Sequence, residues 1–112
     1  MSVLDLFRLD GRVVIVTGAS SGLGVSFAQA FAEAGADLVL GARRVQKMAD
    51  TAALVVAAGR RALTRSTDVA EPEQCAQLVD AAIAEFGRVD VLAEVGTARQ
   101  IFSAPKDRKS VV

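Results

Sequence analysis

The octapeptide TGASSGLG, residues 17–24, joins a β-branched run, RVVIVTG, to a segment in which Leu23, Phe27 and Phe31 recur at every fourth position. The run has the make-up of a buried strand. The segment after it reads as a helix that presents those three side chains, with Ala30 and Ala34 beside them, on one face before Gly35 stops it. A strand that passes through glycines straight into a helix gathers unpaired amides and the positive end of the helix dipole at one point, and such a point attracts phosphate. Gly18 would permit the sharp turn off the strand, Gly22 the close approach of a pyrophosphate, and Gly24 the tight packing of helix on strand, because a Cβ is penalised in each role. Thr17, Ser20 and Ser21 add hydroxyls that can serve phosphate, ribose or the turn itself. Taken alone, the glycines are explained almost as well by a structural turn. The usual nucleoside-triphosphate loop is excluded, since no lysine followed by Ser or Thr closes the cluster.

The same alternation continues along the chain. ADLVLGA at residues 36–42 is a second buried-strand pattern, and an alanine-rich helix over residues 45–58 ends at Gly59. RALTRSTDV at residues 61–69 is a weaker strand because Arg65 interrupts it, and a charge there favours a sheet edge. Pro72 lies just inside a third helix that reaches Phe86, with Leu78, Val79, Ala82, Ile83 and Phe86 on one face and Gly87 closing it. RVDVLAEVG, residues 88–96, begins as a fourth strand. Strand alternating with helix over short connections predicts an α/β fold with parallel strands and right-handed crossovers. Residues 1–96 form one domain in this reading, and residues 97–112 form an irregular tail with Ile101 and Phe102 as its only anchor.

The 112 residues carry 13 basic and 13 acidic side chains, so net charge gives no reason to expect nucleic acid or an anionic membrane. The longest apolar stretches, VVIV and AALVVAA, fall far short of the ~20 residues that span a bilayer. The N-terminal MSVLDLFRLD does not have the pattern of a secretion signal, so cytoplasmic residence is expected. One cysteine, Cys75, and no histidine leave neither a disulfide nor an obvious metal or nucleophile cluster.

About twenty residues beyond the glycines, where a site for a bare ribose commonly places Asp or Glu, the chain has GARR. Ala42 is neutral, and Arg43 and Arg44 can grip a 2′-phosphate through paired N–H bonds, so NADP is favoured over NAD. An ordinary solvated pair is the alternative, closer for Arg44 than for Arg43.

With these residues the sequence resembles the short-chain dehydrogenase/reductase family. TGASSGLG matches its TGxxxGxG cofactor loop, which includes Leu23. GARR stands at its ribose-discriminating position, and Asp68 and Val69 follow the third strand, all within residues 9–92. The resemblance implies a partial Rossmann-like, doubly wound parallel sheet of about four strands in the order 3-2-1-4 with three helices. It also implies that Asp68 bonds the adenine amino group and that Val69 lies against the ring; without the family, Asp68 reads as a cap for the next turn or helix.

The chain departs from the family in two places. Family members continue the fourth strand into Asn-Asn-Ala-Gly, whereas this chain has Ala93, Glu94, Val95 and Gly96, which removes both amides and puts a carboxylate beside the cofactor path. A solvent-facing Glu94 beyond the strand's end is the alternative. The family's catalytic serine, tyrosine and lysine have no counterpart: there is no tyrosine, and Lys47, Lys106 and Lys109 lack the context of Tyr-x-x-x-Lys. The expectation is a truncated relative of oxidoreductase lineage that keeps the adenosine-diphosphate site and lacks dehydrogenase activity alone. An uncovered edge on the fourth strand would favour a homo-oligomer, or a noncatalytic module that pairs with a full-length homologue. Another nucleotide-binding class, such as a methyltransferase, is disfavoured by the missing carboxylate after the second strand.

Overall fold

A computed structural model describes residues 8–20 and 22–94, together with the backbone of residues 101–103. The elements in chain order are β1 (Val13–Thr17), α1 (Gly22–Glu33), β2 (Asp37–Ala42), α2 (Val45–Ala57), β3 (Ala62–Ser66), α3 (Pro72–Phe86), β4 (Val91–Glu94) and β5 (Ile101–Ser103). They form one sheet in the order β3-β2-β1-β4-β5. The first four strands are parallel, with Val13 opposite Asp37 and Thr17 opposite both Gly41 and Glu94. The expected 3-2-1-4 order with three helices is therefore present.

Both faces of the central strands are covered, which is why β1 and β2 are buried at every position and read in sequence as unbroken apolar runs. On one face Val14, Val16, Leu38 and Leu40 pack with Ala28 and Ala32 of α1 and Met48 and Val55 of α2. On the other, Val13, Ile15 and Val39 pack with Leu78, Val79 and Ala82 of α3. The crossovers through α1 and α2 thus run on one side and the crossover through α3 on the opposite side. That reversal puts the topological switch point between β1 and β4, and in doubly wound sheets the crevice that receives ligands opens at the carboxyl ends of the strands at such a point. Arg65 lies in β3 at the sheet edge, as its charge predicts.

Two features differ from the sequence expectation. In α1 the buried residues are Gly24, Ala28 and Ala32, while Leu23 is 61% exposed and Phe27 and Phe31 stack on each other at the flank of the core, ring centroids 5.9 Å apart. The inward stripe has the expected spacing of four but lies one position further along. A stripe of small side chains lets the helix axis come closer to the sheet than a stripe of Leu and Phe would. Second, Ile101–Ser103, within the segment expected to be irregular, pairs antiparallel with β4. Over Val91–Ala93 the edge expected to lie open is taken by β5.

At the amino ends of the strands two carboxylates hold the sheet in register. Asp37 Oδ1 accepts from the Arg61 backbone N–H (3.0 Å) and from Arg60 (3.1 Å), and its Oδ2 accepts from the Arg61 guanidinium (2.7 Å), which also stacks 4.7 Å above Phe86. Asp90 Oδ2 accepts from the Val13 backbone N–H (2.9 Å) and Arg88 Nε (2.7 Å). β2 is thereby tied to the start of β3, and the lead into β4 to the start of β1. Burial alone would raise both carboxyls, but hydrogen bonds and charge from Arg61 and Arg60 at Asp37, and from Arg88, the Val13 amide and Arg12 at Asp90, leave both below the ordinary 3.8. A carboxyl depressed in the folded state stabilises the fold fully above its ordinary value and loses that stabilisation as pH falls through the lower, folded value. Unfolding free energy is therefore expected to hold constant from neutrality to the region of 3.8 and to fall below it. Asp37→Ala should lose about 1–3 kcal/mol at neutral pH, because the Arg61 N–H is left without its acceptor, and should weaken the acid dependence. Urea titrations at several pH values check both; an unchanged acid limb in the variant contradicts the assignment.

Candidate functional site

The glycine-rich junction leaves β1 through Gly18, whose φ of 70° lies in the left-handed region that a β-carbon disfavours. Ala19, fully buried, donates its N–H to the Gly41 carbonyl at the end of β2 (3.3 Å) and accepts from the Thr51 hydroxyl of α2 (2.9 Å). Gly24 closes the arrangement from α1: a Cβ built there would overlap the Gly18 carbonyl oxygen, lie 2.9 Å from the Gly18 carbonyl carbon and 3.1 Å from Ala19 Cα. The chain turn is thus held from α1, β2 and α2 together. Gly22 has the opposite surroundings, since a Cβ there would meet nothing within 4 Å. Gly22 and the side chain of Leu23 border the open side of the turn, and Ser20 is half-exposed beside them. Ser21 lies outside the described residues. The Thr17 hydroxyl is buried and faces the Ala93 carbonyl at 3.5 Å, so it bridges β1 and β4 weakly instead of meeting solvent.

The opening of α1 leaves its first amides without partners inside the helix, and no acidic side chain occupies its first turn. The same holds at α2, where Arg44 occupies the N-cap position without a side-chain cap and the first turn again has no acid. Arg43 and Arg44 are both exposed, and neither forms an ion pair with a described residue. The Arg43 carbonyl accepts from the Ser66 hydroxyl at the end of β3 (3.0 Å), which fixes the loop backbone on which both guanidiniums stand. Two helix N-termini and the guanidiniums of Arg43 and Arg44 thus bring positive charge to the carboxyl ends of β1 and β2.

Asp68 performs the capping role that its sequence position suggests: Oδ1 accepts from the Ala70 N–H (3.0 Å), while its own N–H donates to Gln74 Oε1 (2.8 Å). That bond does not use Oδ2. Val69 is 41% exposed, an apolar surface next to Asp68. Glu94 lies inside β4 opposite Thr17, so it belongs to the strand, and by alternation it shares the α3 side of the sheet with Leu92. The Cys75 thiol, whose Sγ donates to the Val69 carbonyl at 3.7 Å, is pushed up by burial and by the nearby charges of Glu94 and Asp68. A thiol so placed stays protonated and is a packing group. Among the described residues no cluster of His, Cys, Asp or Glu could hold a metal ion, and no helix is long and apolar enough to cross a membrane.

The structure therefore gathers Gly18, Ser20, Gly22, Leu23 and Gly24 with Arg43, Arg44, Asp68 and Val69 at the carboxyl ends of the strands. It adds Gly41, Thr51, Ser66 and Gln74, which sequence reasoning passed over. Gly41 alone carried a signal, a glycine within an apolar strand: a Cβ there would come within 2.7 Å of Leu78 Cδ2, so it admits α3 to the sheet.

The short chain dehydrogenase family model matches residues 12–109. An uncharacterized oxidoreductase of Mycobacterium tuberculosis is 44% identical over 90 residues, 80% of this chain and 34% of that protein. A short-chain type dehydrogenase/reductase from Mycobacterium marinum superposes with a TM-score of 0.77 at 39% identity, covering 82% of this chain and 37% of the other. A metagenomic short-chain oxidoreductase solved with NADP superposes with a TM-score of 0.70 at 38% identity, over 75% and 38% of the two chains. The chain thus spans about a third of the length of most of the curated relatives it matches, and less of a longer one.

Proposed function

The chain belongs to the short-chain dehydrogenase family, and on that premise we propose that it receives the adenosine and diphosphate portion of NADP(H) at the carboxyl ends of β1, β2 and β3. The observation that carries this reading is the pairing of the Gly18–Gly24 turn with a β2 that ends in Ala42 and is followed by Arg43 and Arg44. The diphosphate would lie against Gly22 and the first amides of α1, where the lack of a β-carbon leaves room and the dipole favours an anion. Ser20 and Ser21 are the nearest hydroxyls in sequence to that anion, and Leu23 gives the coenzyme an apolar contact. Arg43 would take the 2′-phosphate, with Arg44 adding charge. Asp68 Oδ2 would accept from the adenine amino group, with Val69 against the ring. Thr17 and Gly24 would shape the site without touching the ligand. The reaction of the whole protein would be hydride transfer between the nicotinamide and a carbonyl or alcohol, a chemistry supplied by the coenzyme. A cytoplasmic setting belongs to the same reading, since a lone Cys75 makes no internal disulfide.

Isothermal calorimetry tests the proposal. NADPH should bind more tightly than NADH, and Arg43→Ala should remove about tenfold or more of the NADPH affinity while leaving NADH unchanged, as loss of a charge-assisted contact of about 1.5–3 kcal/mol requires. Equal or reversed affinities in the wild-type chain defeat the role of Arg43. An absence of binding by either nucleotide defeats the site.

A further inference from the structure

Thr51 is 1% exposed in the middle of α2, a helix whose other fully buried side chains are Met48 and Val55. A mid-helix threonine usually satisfies its hydroxyl on the carbonyl four residues back. Here it leaves its own helix and donates to Ala19 across a separation of 32 residues, at 2.9 Å. The amide of the same Ala19 donates to Gly41, one residue before the strand end that leads into Arg43. Ala19 is thereby bonded on one side to β2 and on the other to α2, the two elements that flank the arginine pair. A further bond, from Ser66 to the Arg43 carbonyl, ties that loop to β3.

We propose that Thr51 is a positioning residue that fixes the glycine-rich turn relative to the Arg43–Arg44 loop, so that one ligand can place an anion on each at the same time. This role rests on the dinucleotide reading and adds to it a residue that need not touch the nucleotide. The separation between two phosphates of one ligand is set by its covalent frame, so the two protein loops must keep a matching separation. A hydrogen bond buried between them holds that separation before the ligand arrives, and the ordering cost at binding falls accordingly. Thr51→Val preserves volume and branching but leaves the Ala19 carbonyl buried without a donor. Thr51→Ser keeps the donor.

The test uses the full chain and two probes, adenosine 2′,5′-bisphosphate, which can reach both loops, and adenosine 2′-monophosphate, which reaches only the arginine side. Thr51→Val should bind the bisphosphate about tenfold more weakly and the monophosphate nearly as well as wild type, with Thr51→Ser restoring the bisphosphate. Equal losses for both probes, the mark of general loosening, overturn the proposal, and so does no loss for either. Hydrogen exchange without ligand gives a second measurement: the Ala19 amide should exchange faster in Thr51→Val and regain protection in Thr51→Ser, while Ile15 and Ala82 stay unchanged. Unaltered Ala19 exchange defeats the link alone. Wild-type protein that binds neither probe defeats the dinucleotide reading, and this role with it.

Discussion

Gly24→Val is expected to lower stability by about 3 kcal/mol or more, whereas Gly22→Ala, two residues earlier in the same helix, should leave stability unchanged or raise it. The difference comes from what a β-carbon meets. At position 24 it overlaps the Gly18 carbonyl oxygen and crowds the Gly18 carbon at 2.9 Å, and both are backbone atoms locked by the turn off β1. No rotamer change relieves such a contact, so α1 must retreat from the sheet and open the layer that Ala28 and Ala32 form with Val14 and Leu40. Overpacking in a rigid core costs about 1–3 kcal/mol for added methylenes, and a branched side chain against backbone belongs at or above the top of that range. A small α/β domain has only about 5–15 kcal/mol in all. At position 22 a β-carbon enters open space, and alanine favours the helix over glycine by up to about 1 kcal/mol. If a diphosphate lies there, Gly22→Ala weakens NADPH binding while the urea midpoint holds or rises. Gly24→Val lowers both. A Gly24→Val protein with an unshifted midpoint contradicts the close approach of α1, and a Gly22→Ala protein with wild-type NADPH affinity contradicts the placement of the diphosphate.

What the sequence makes legible here is what depends on near neighbours. β1 and β2 are continuous apolar runs because both their faces are covered, Gly87 ends α3 with a left-handed φ of 82°, and Arg65 marks an edge. The inward face of α3 follows from its large residues, since Leu78 and Val79 are the side chains that fill the core beneath β1. The same rule misplaces α1, where the inward residues are the smallest ones. How closely a helix approaches a sheet is decided by the partner surface, and no window of local sequence contains that surface. Distance in sequence hides the rest in the same way. Asp37 meets Arg61, Arg43 meets Ser66 and Ala19 meets Thr51 across 24, 23 and 32 residues, through polar groups that read locally as ordinary solvated side chains. The glycine turn and the arginine pair are each readable; the bonds that set one against the other are not. β5 is the extreme case, a three-residue strand whose pairing depends on the free edge of β4 and not on any periodicity of its own.

Purified protein of this sequence is expected to show no carbonyl-dependent oxidation of NADPH above background, even under conditions where it binds the nucleotide. Hydride transfer to a carbonyl leaves an alkoxide that must take a proton, and the loss of a positioned acid typically lowers the rate by ~10²–10⁴. The family's acid is a tyrosine activated by a lysine four residues on, and these 112 residues contain no tyrosine or histidine to stand in for it. Among the described residues near the crevice, Cys75 is the one group whose pKa is pushed toward retaining its proton, but its Sγ is engaged with the Val69 carbonyl and lies beside the carboxylates of Asp68 and Glu94, which would resist forming a thiolate there. Lys47 stands exposed on α2, on the far side of the sheet from Glu94 and α3. The informative assay follows absorbance of NADPH with a panel of aldehydes and ketones, alongside calorimetry on the same sample. Binding without turnover separates the capacity to hold a dinucleotide from the capacity to use it. Turnover that remains constant per mole through successive purification steps and falls in Arg43→Ala would show that an acid other than the family's tyrosine serves this site, and Cys75→Ser would then be the first variant to examine.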